Sequence, residues 1–176
     1  MKLFKLSVLF IFLFALTSCG GTDKKKEEST PKKEIKTPKK TKPEVDLYSD
    51  IEASNNILLT SSDASVYSKE ILKVEGSKKV KITFKHTGKM DKKVMGHNFV
   101  LLKKGVSMSS FGKEAANAVS NGYIPENTQD VIAYTKLIGG GEETTIEFDA
   151  PEVGTYRFIC TFPGHYIAMN GKFIVI

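Results

Sequence analysis

The chain has 176 residues, 40% of them hydrophobic, and its 26 basic and 20 acidic side chains leave a formal charge of +6. Lys2 and Lys5 account for two of those charges and the stretch 20–46 for three more, so residues 47–176 sit near +1. A nucleic-acid partner is therefore not indicated: the basic stretch mixes both signs and contains no aromatic residue on which bases could stack.

The N-terminus reads as a targeting segment. Lys2 and Lys5 are followed by an apolar run from Leu6 to Leu16 and then by Thr17-Ser18-Cys19. A positive start, about ten apolar residues and small residues at the end describe an export signal rather than a membrane span. Leu16-Thr17-Ser18-Cys19 resembles the lipobox of bacterial lipoproteins, which implies a signal peptide over 1–18 and a lipid on Cys19. The competing reading is an ordinary signal with an incidental cysteine. Residues 19–46 follow as a Lys/Glu/Thr/Pro tether with nine Lys, six acids and no apolar cluster. Such a composition cannot bury a core and is expected to be disordered. As a flexible coil it spans roughly 30 Å, and up to about 90 Å when stretched.

From residue 47 the pattern changes to strands. Val80, Ile82 and Phe84 alternate with polar residues, as do Ile146 and Phe148, and the runs Thr155–Cys160 and Gly171–Ile176 are strand-like. Turn signals separate them at His86-Thr87-Gly88, Gly139-Gly140-Gly141, Pro151–Gly154 and Asn170-Gly171. About 130 residues of short alternating strands predict one antiparallel β-sandwich or barrel. The run around 109–121, rich in helix formers and closed by Asn121-Gly122, predicts one short helical insertion.

Chemistry concentrates near the C-terminus in Cys160-Thr161-Phe162-Pro163-Gly164-His165-Tyr166-Ile167-Ala168-Met169, with a second imidazole upstream in Val94-Met95-Gly96-His97-Asn98. Two His, one Cys and a weak axial Met are the donor set of a type 1 copper site. Taken singly each has a plain reading: a satisfied strand histidine, a turn histidine, a buried inert cysteine, a core-filling methionine. Their joint spacing favours the metal. With Cys19 lipidated and Cys160 a metal thiolate, no structural disulfide is expected. Zinc also accepts His₂Cys and is the plain alternative metal.

At these residues the chain resembles the azurins, bacterial members of the cupredoxin family. The run Val131-Ile132-Ala133-Tyr134-Thr135-Lys136-Leu137-Ile138-Gly139 falls in register with them as well. The resemblance implies a cupredoxin-like Greek-key sandwich holding one type 1 copper. His97, Cys160 and His165 would be its equatorial ligands, Met169 the long axial one and the Gly96 carbonyl a weaker axial contact. Asn98 would tie the ligand loops together and hydrogen-bond the thiolate, with Phe162 packed beside the site. Met95, Phe162, Pro163 and Ile167 would form an apolar collar where redox partners dock. The chain departs from the family in lacking its disulfide, in having Phe99 in place of a buried Trp and Tyr134 in place of a common His, and in the loop residues Tyr166 and Ile167. None of these is a ligand. His86 falls where azurins carry a histidine that can titrate; a structural role is the default for it, and pH sensing the minority reading.

The function expected is one-electron transport by Cu(II)/Cu(I) cycling, without enzymatic turnover. The protein would be a monomer anchored by lipid in the bacterial cell envelope, its domain periplasmic or on the outer surface. Its partners would be redox proteins such as c-type cytochromes or a terminal oxidase or reductase. A copper enzyme would need further histidines, and His86 alone remains. A copper storage or delivery protein is the alternative.

Overall fold

The computed structural model describes residues 48–176. The signal peptide expected over 1–18, the lipidation expected at Cys19 and the tether expected over 19–46 lie outside the described residues. Eight strands form: β1 (Asn56–Ser61), β2 (Ile71–Val74), β3 (Lys79–His86), β4 (Val100–Leu102), β5 (Val131–Tyr134), β6 (Glu143–Asp149), β7 (Gly154–Ile159) and β8 (Asn170–Val175). They build a three-stranded sheet in the order β1-β3-β6 and a five-stranded sheet in the order β2-β8-β7-β4-β5. Two helices, α1 (Lys92–Met95) and α2 (Met108–Ala115), interrupt them.

The alternation expected for β3 is present: Val80, Ile82, Phe84 and His86 are buried, while Lys79, Lys81 and Lys85 face solvent. Successive side chains of a strand point to opposite faces, so one register of the sequence fills the core. From the other sheet Leu72, Val74, Leu101, Tyr156, Phe158, Phe173 and Val175 meet them in one contiguous cluster. β4 departs from alternation, with Val100, Leu101 and Leu102 all buried. Its outer face is covered by α2: Val100, Leu102 and Ile159 pack against Phe111, Ala115 and Ile124. Both faces of the strand are therefore apolar.

One expectation is revised and another is met in finer detail. The sandwich is mixed rather than antiparallel, because β1 pairs parallel with β3 and β2 parallel with β8. Alternation reports which face is buried and carries no information on a neighbour's direction; the chain crosses from one sheet to the other between β1, β2 and β3, and that crossing sets the direction. The insertion expected around 109–121 begins at Met108 as an α-helix but ends at Ala115, followed by a separate 3₁₀ turn over Val119–Asn121 that closes at Gly122 with φ 61°. Ser107 caps α2 by accepting the Ser110 N–H. Among the described residues no helix is long and apolar enough to cross a membrane.

Candidate metal centre

Each predicted ligand is held by backbone that the sheets fix. His97 forms an isolated bridge with Ile138, its N–H donating at 2.9 Å and its carbonyl accepting at 2.8 Å, just before β4. Cys160 follows the last residue of β7, and its N–H donates to the Met169 carbonyl at 2.9 Å. The loop between them closes on itself: the His165 N–H reaches Phe162 O at 3.0 Å and the Met169 N–H reaches His165 O at 2.7 Å. Asn98 clamps this loop to the His97 segment. Its Nδ2 donates to Thr161 Oγ1 at 2.8 Å, while its Oδ1 accepts the Thr161 N–H at 2.8 Å. All four groups are buried, so the clamp works in a medium where an unmade hydrogen bond is expensive.

The donor atoms converge. His97 Nδ1 and His165 Nδ1 are 3.2 Å apart, and Cys160 Sγ is 3.9 and 3.8 Å from them. Bonds of about 2.0–2.1 Å to nitrogen and 2.3 Å to sulfur, as zinc makes to these donors, would put the corners of a flat triangle about 3.6 and 3.8 Å apart. The trio thus has the dimensions of a metal site. The Gly96 carbonyl lies 4.0 Å from the sulfur, and Met169 is fully buried within the same core cluster.

Tautomer and charge fit as well. His97 Nε2 donates to Ser62 O at 3.0 Å, which leaves the Nδ1 lone pair free to bind a metal. The pKa of His97 is lowered to about 4, by burial above all and also by the neighbouring imidazoles, against the support of that hydrogen bond. His165 is lowered by burial too. Burial pushes the Cys160 thiol up to about 12, opposed by the backbone amides of Asn98 and Phe162, whose hydrogen bonds favour the thiolate. The contact of Asn98 with the sulfur is thus through its main chain, its side chain being committed to Thr161. Without a metal this is a neutral, desolvated trio; a cation that displaces the thiol proton supplies what burial removes.

Around the trio, Phe162 packs on His165 with ring centroids 4.6 Å apart and on Tyr123 at 5.2 Å. His165 is half-buried, Pro163 exposed and Ile167 71% exposed, so one edge of the site opens through an apolar rim. Met95 is only half-buried there, its sulfur accepting Ser65 Oγ at 3.1 Å, while Val94, not singled out from the sequence, is 61% exposed. His86 closes β3 and is fully buried. Its Nδ1 accepts the Gly88 N–H at 3.0 Å, so Nε2 carries the proton and donates to Met95 O at 3.0 Å. Its ring stacks on His97 at 4.5 Å, a packing role that carries the residues before His97.

Ser62, Thr135, Thr161 and Tyr67 were not legible as site residues. Tyr67 donates its hydroxyl to Asn98 O at 2.6 Å, and Thr135 Oγ1 accepts the Phe99 N–H at 2.9 Å. Thr161 lay inside the ligand run and its position was a usable signal. Ser62 contributes only a carbonyl, which no side-chain pattern reveals.

Two facing sheets with a largely buried His–Cys–His trio at one end of the strands define a copper-binding cupredoxin. The chain belongs to the copper binding proteins of the plastocyanin/azurin family, whose profile matches residues 55–176. It is 37% identical over 128 residues to outer membrane protein H.8 of Neisseria gonorrhoeae, a match covering 72% of this chain and 66% of that protein. It is 38% identical over 106 residues to Azurin-1 of Alcaligenes xylosoxydans xylosoxydans, covering 58% of this chain and 82% of the azurin. The structure is similar to reduced auracyanin from Roseiflexus castenholzii with a TM-score of 0.65 and 34% identity, over 71% of this chain and 99% of that one.

Proposed function

We propose that the protein is a lipid-tethered electron carrier of the bacterial cell envelope, exchanging single electrons with redox proteins such as a c-type cytochrome or a terminal oxidase or reductase. The observation that carries this reading is the His97–Cys160–His165 trio itself, with His97 and Cys160 fully enclosed, Met169 buried in the same core and the half-buried His165 nearest the surface. Copper bound there would supply a one-electron couple, since a thiolate favours Cu(I) and imidazoles suit Cu(II).

The protein's own groups do the rest. The Asn98–Thr161 clamp and the His97–Ile138 bridge hold the donors in place, so little needs to move when charge changes. The amides of Asn98 and Phe162 stabilise negative charge on the sulfur. His165, edged by Phe162, Pro163 and Ile167, is the port through which an electron leaves, and the small apolar rim suits brief encounters between monomers and partners. Burial of the ligands disfavours rapid metal exchange, which sets this reading apart from storage or delivery. The likeness to outer membrane protein H.8 supports a place in the envelope, and Leu16-Thr17-Ser18-Cys19 supports the anchor.

Copper-loaded protein is expected to show an intense visible charge-transfer band, and Cys160→Ser to lose it. His165→Gly should keep copper but open a coordination position that added imidazole refills. A serine variant that keeps the band would refute the ligand assignment.

A further inference from the structure

On the five-stranded sheet, from the end remote from His97 to the middle of β7 and β8, four cations surround a recess of about 220 Å³, walled by Lys103, Lys104, Arg157, Lys172 and Thr155. Strand direction places it: β4 runs from the His97 end towards Lys103, and β7 runs from Thr155 towards Cys160. The cations are held rather than loose. Lys104 Nζ donates to Val153 O at 2.9 Å and lies 5.1 Å from the centre of the Tyr156 ring. Arg157 donates to Asn170 Oδ1 at 3.4 Å, and Lys172 Nζ donates to the Tyr48 hydroxyl at 2.6 Å while lying over its ring.

Neither the contacts of Lys104 nor that of Arg157 is to a carboxylate. Among the described residues Lys103, Lys104 and Arg157 take part in no ion pair, whereas Lys79 and Lys81 on the three-stranded sheet face Asp149 and Glu147 at 3.0 and 3.9 Å. Like charges gathered in a recess repel, and an anion relieves that repulsion. The described residues begin at Tyr48, on this same face, and 47 residues that include the lipobox-like run precede it in the sequence. We propose that this face docks on an anionic phospholipid surface, with the cations meeting lipid phosphates. Of the docking residues, Lys103 and Lys104 lie past the end of β4 remote from His97, while Arg157 lies midway along β7. The inference rests on the envelope-tether reading and adds the orientation of the domain.

The test uses the mature-length chain from residue 19, copper-loaded and carrying Cys19→Ser so that no lipid contributes, sedimented with vesicles at low salt. Binding is expected to phosphatidylglycerol vesicles and not to phosphatidylcholine. Each basic residue at an anionic surface strengthens binding roughly fivefold, so Lys103→Gln with Arg157→Gln should weaken it about 30-fold. Lys79→Gln with Lys81→Gln removes the same charge from the other sheet and should change it little. Unchanged visible absorption and unfolding transitions certify that both variants fold. Equal loss in the two pairs, equal binding to phosphatidylcholine, or displacement by inorganic phosphate at constant ionic strength would each overturn the proposal. Lipid labelling of Cys19 in the unaltered chain is scored separately: its failure removes the anchor, not the docking result.

Discussion

Asn98 shows how a side chain outside the donor set governs the site. Its amide exchanges two 2.8 Å hydrogen bonds with Thr161, while its carbonyl accepts the buried Tyr67 hydroxyl. Asn98→Ala would strand the Thr161 N–H and hydroxyl in a dry interior, and an unsatisfied buried group costs about 1–3 kcal/mol. Urea denaturation of the copper-loaded variant should therefore show a loss of about 2–4 kcal/mol, the two groups being coupled. The visible band should shift as the loop loosens. A variant as stable as the parent would mean that water replaces the amide.

Among the elements, α2 has the least obvious connection to the metal. It covers the outer face of β4 and β7, and its Gly112 lies against the Tyr166 ring in the ligand loop. A Cβ on Gly112 would fall 2.4 Å from Tyr166 Cδ1 and 2.6 Å from Cγ, inside any tolerable contact. The rigid ring cannot bend away, so Gly112→Ala must displace the 3₁₀ turn His165–Ile167 or the helix. Overpacking of this kind costs about 1–3 kcal/mol. The expected result is a lowered unfolding midpoint with an altered copper spectrum, both recovered by adding Tyr166→Ser to make room. Lack of recovery in the double variant would argue that the helix alone is affected. Legibility differs sharply between elements. β3 was readable because each of its faces has one environment, whereas β4 gave only a short apolar run, since α2 covers the face that solvent would otherwise mark.

For the whole molecule, burial of the trio ties stability to pH and metal. Metal-free Cys160 has a pKa raised to about 12 from an ordinary thiol value near 9, and Tyr67 is raised by burial and by Cys160. A raised folded pKa contributes stability that is complete below the unfolded value and is lost as pH climbs through and beyond it. His97 is lowered to about 4 from 6.5, and His165 is lowered in the same direction. Lowered histidines contribute stability above the unfolded pKa that is lost as pH falls towards the folded one. The metal-free protein should thus be most stable between about pH 7 and 8.5 and decline on both sides, as followed by thermal denaturation. Copper loading should raise the midpoint throughout and flatten the alkaline decline, because the bound thiolate no longer titrates. A metal-free midpoint that keeps rising past pH 10 would contradict the buried neutral thiol.

What the sequence showed alone was a candidate donor set and its grouping: Cys160, His165 and Met169 lie within ten residues, with Pro163-Gly164 as a turn signal between the first two. It also determined the inward faces of the strands, because alternation is a local property of the backbone. Only the tertiary structure decided that His97, 63 residues before Cys160, meets Cys160 and His165 with Nδ1 rather than Nε2. That choice depends on the Ser62 carbonyl, on the parallel pairing of β1 with β3 and on the Asn98–Thr161 clamp. Each joins groups distant along the chain, and main-chain partners of that kind leave no mark in residue identity.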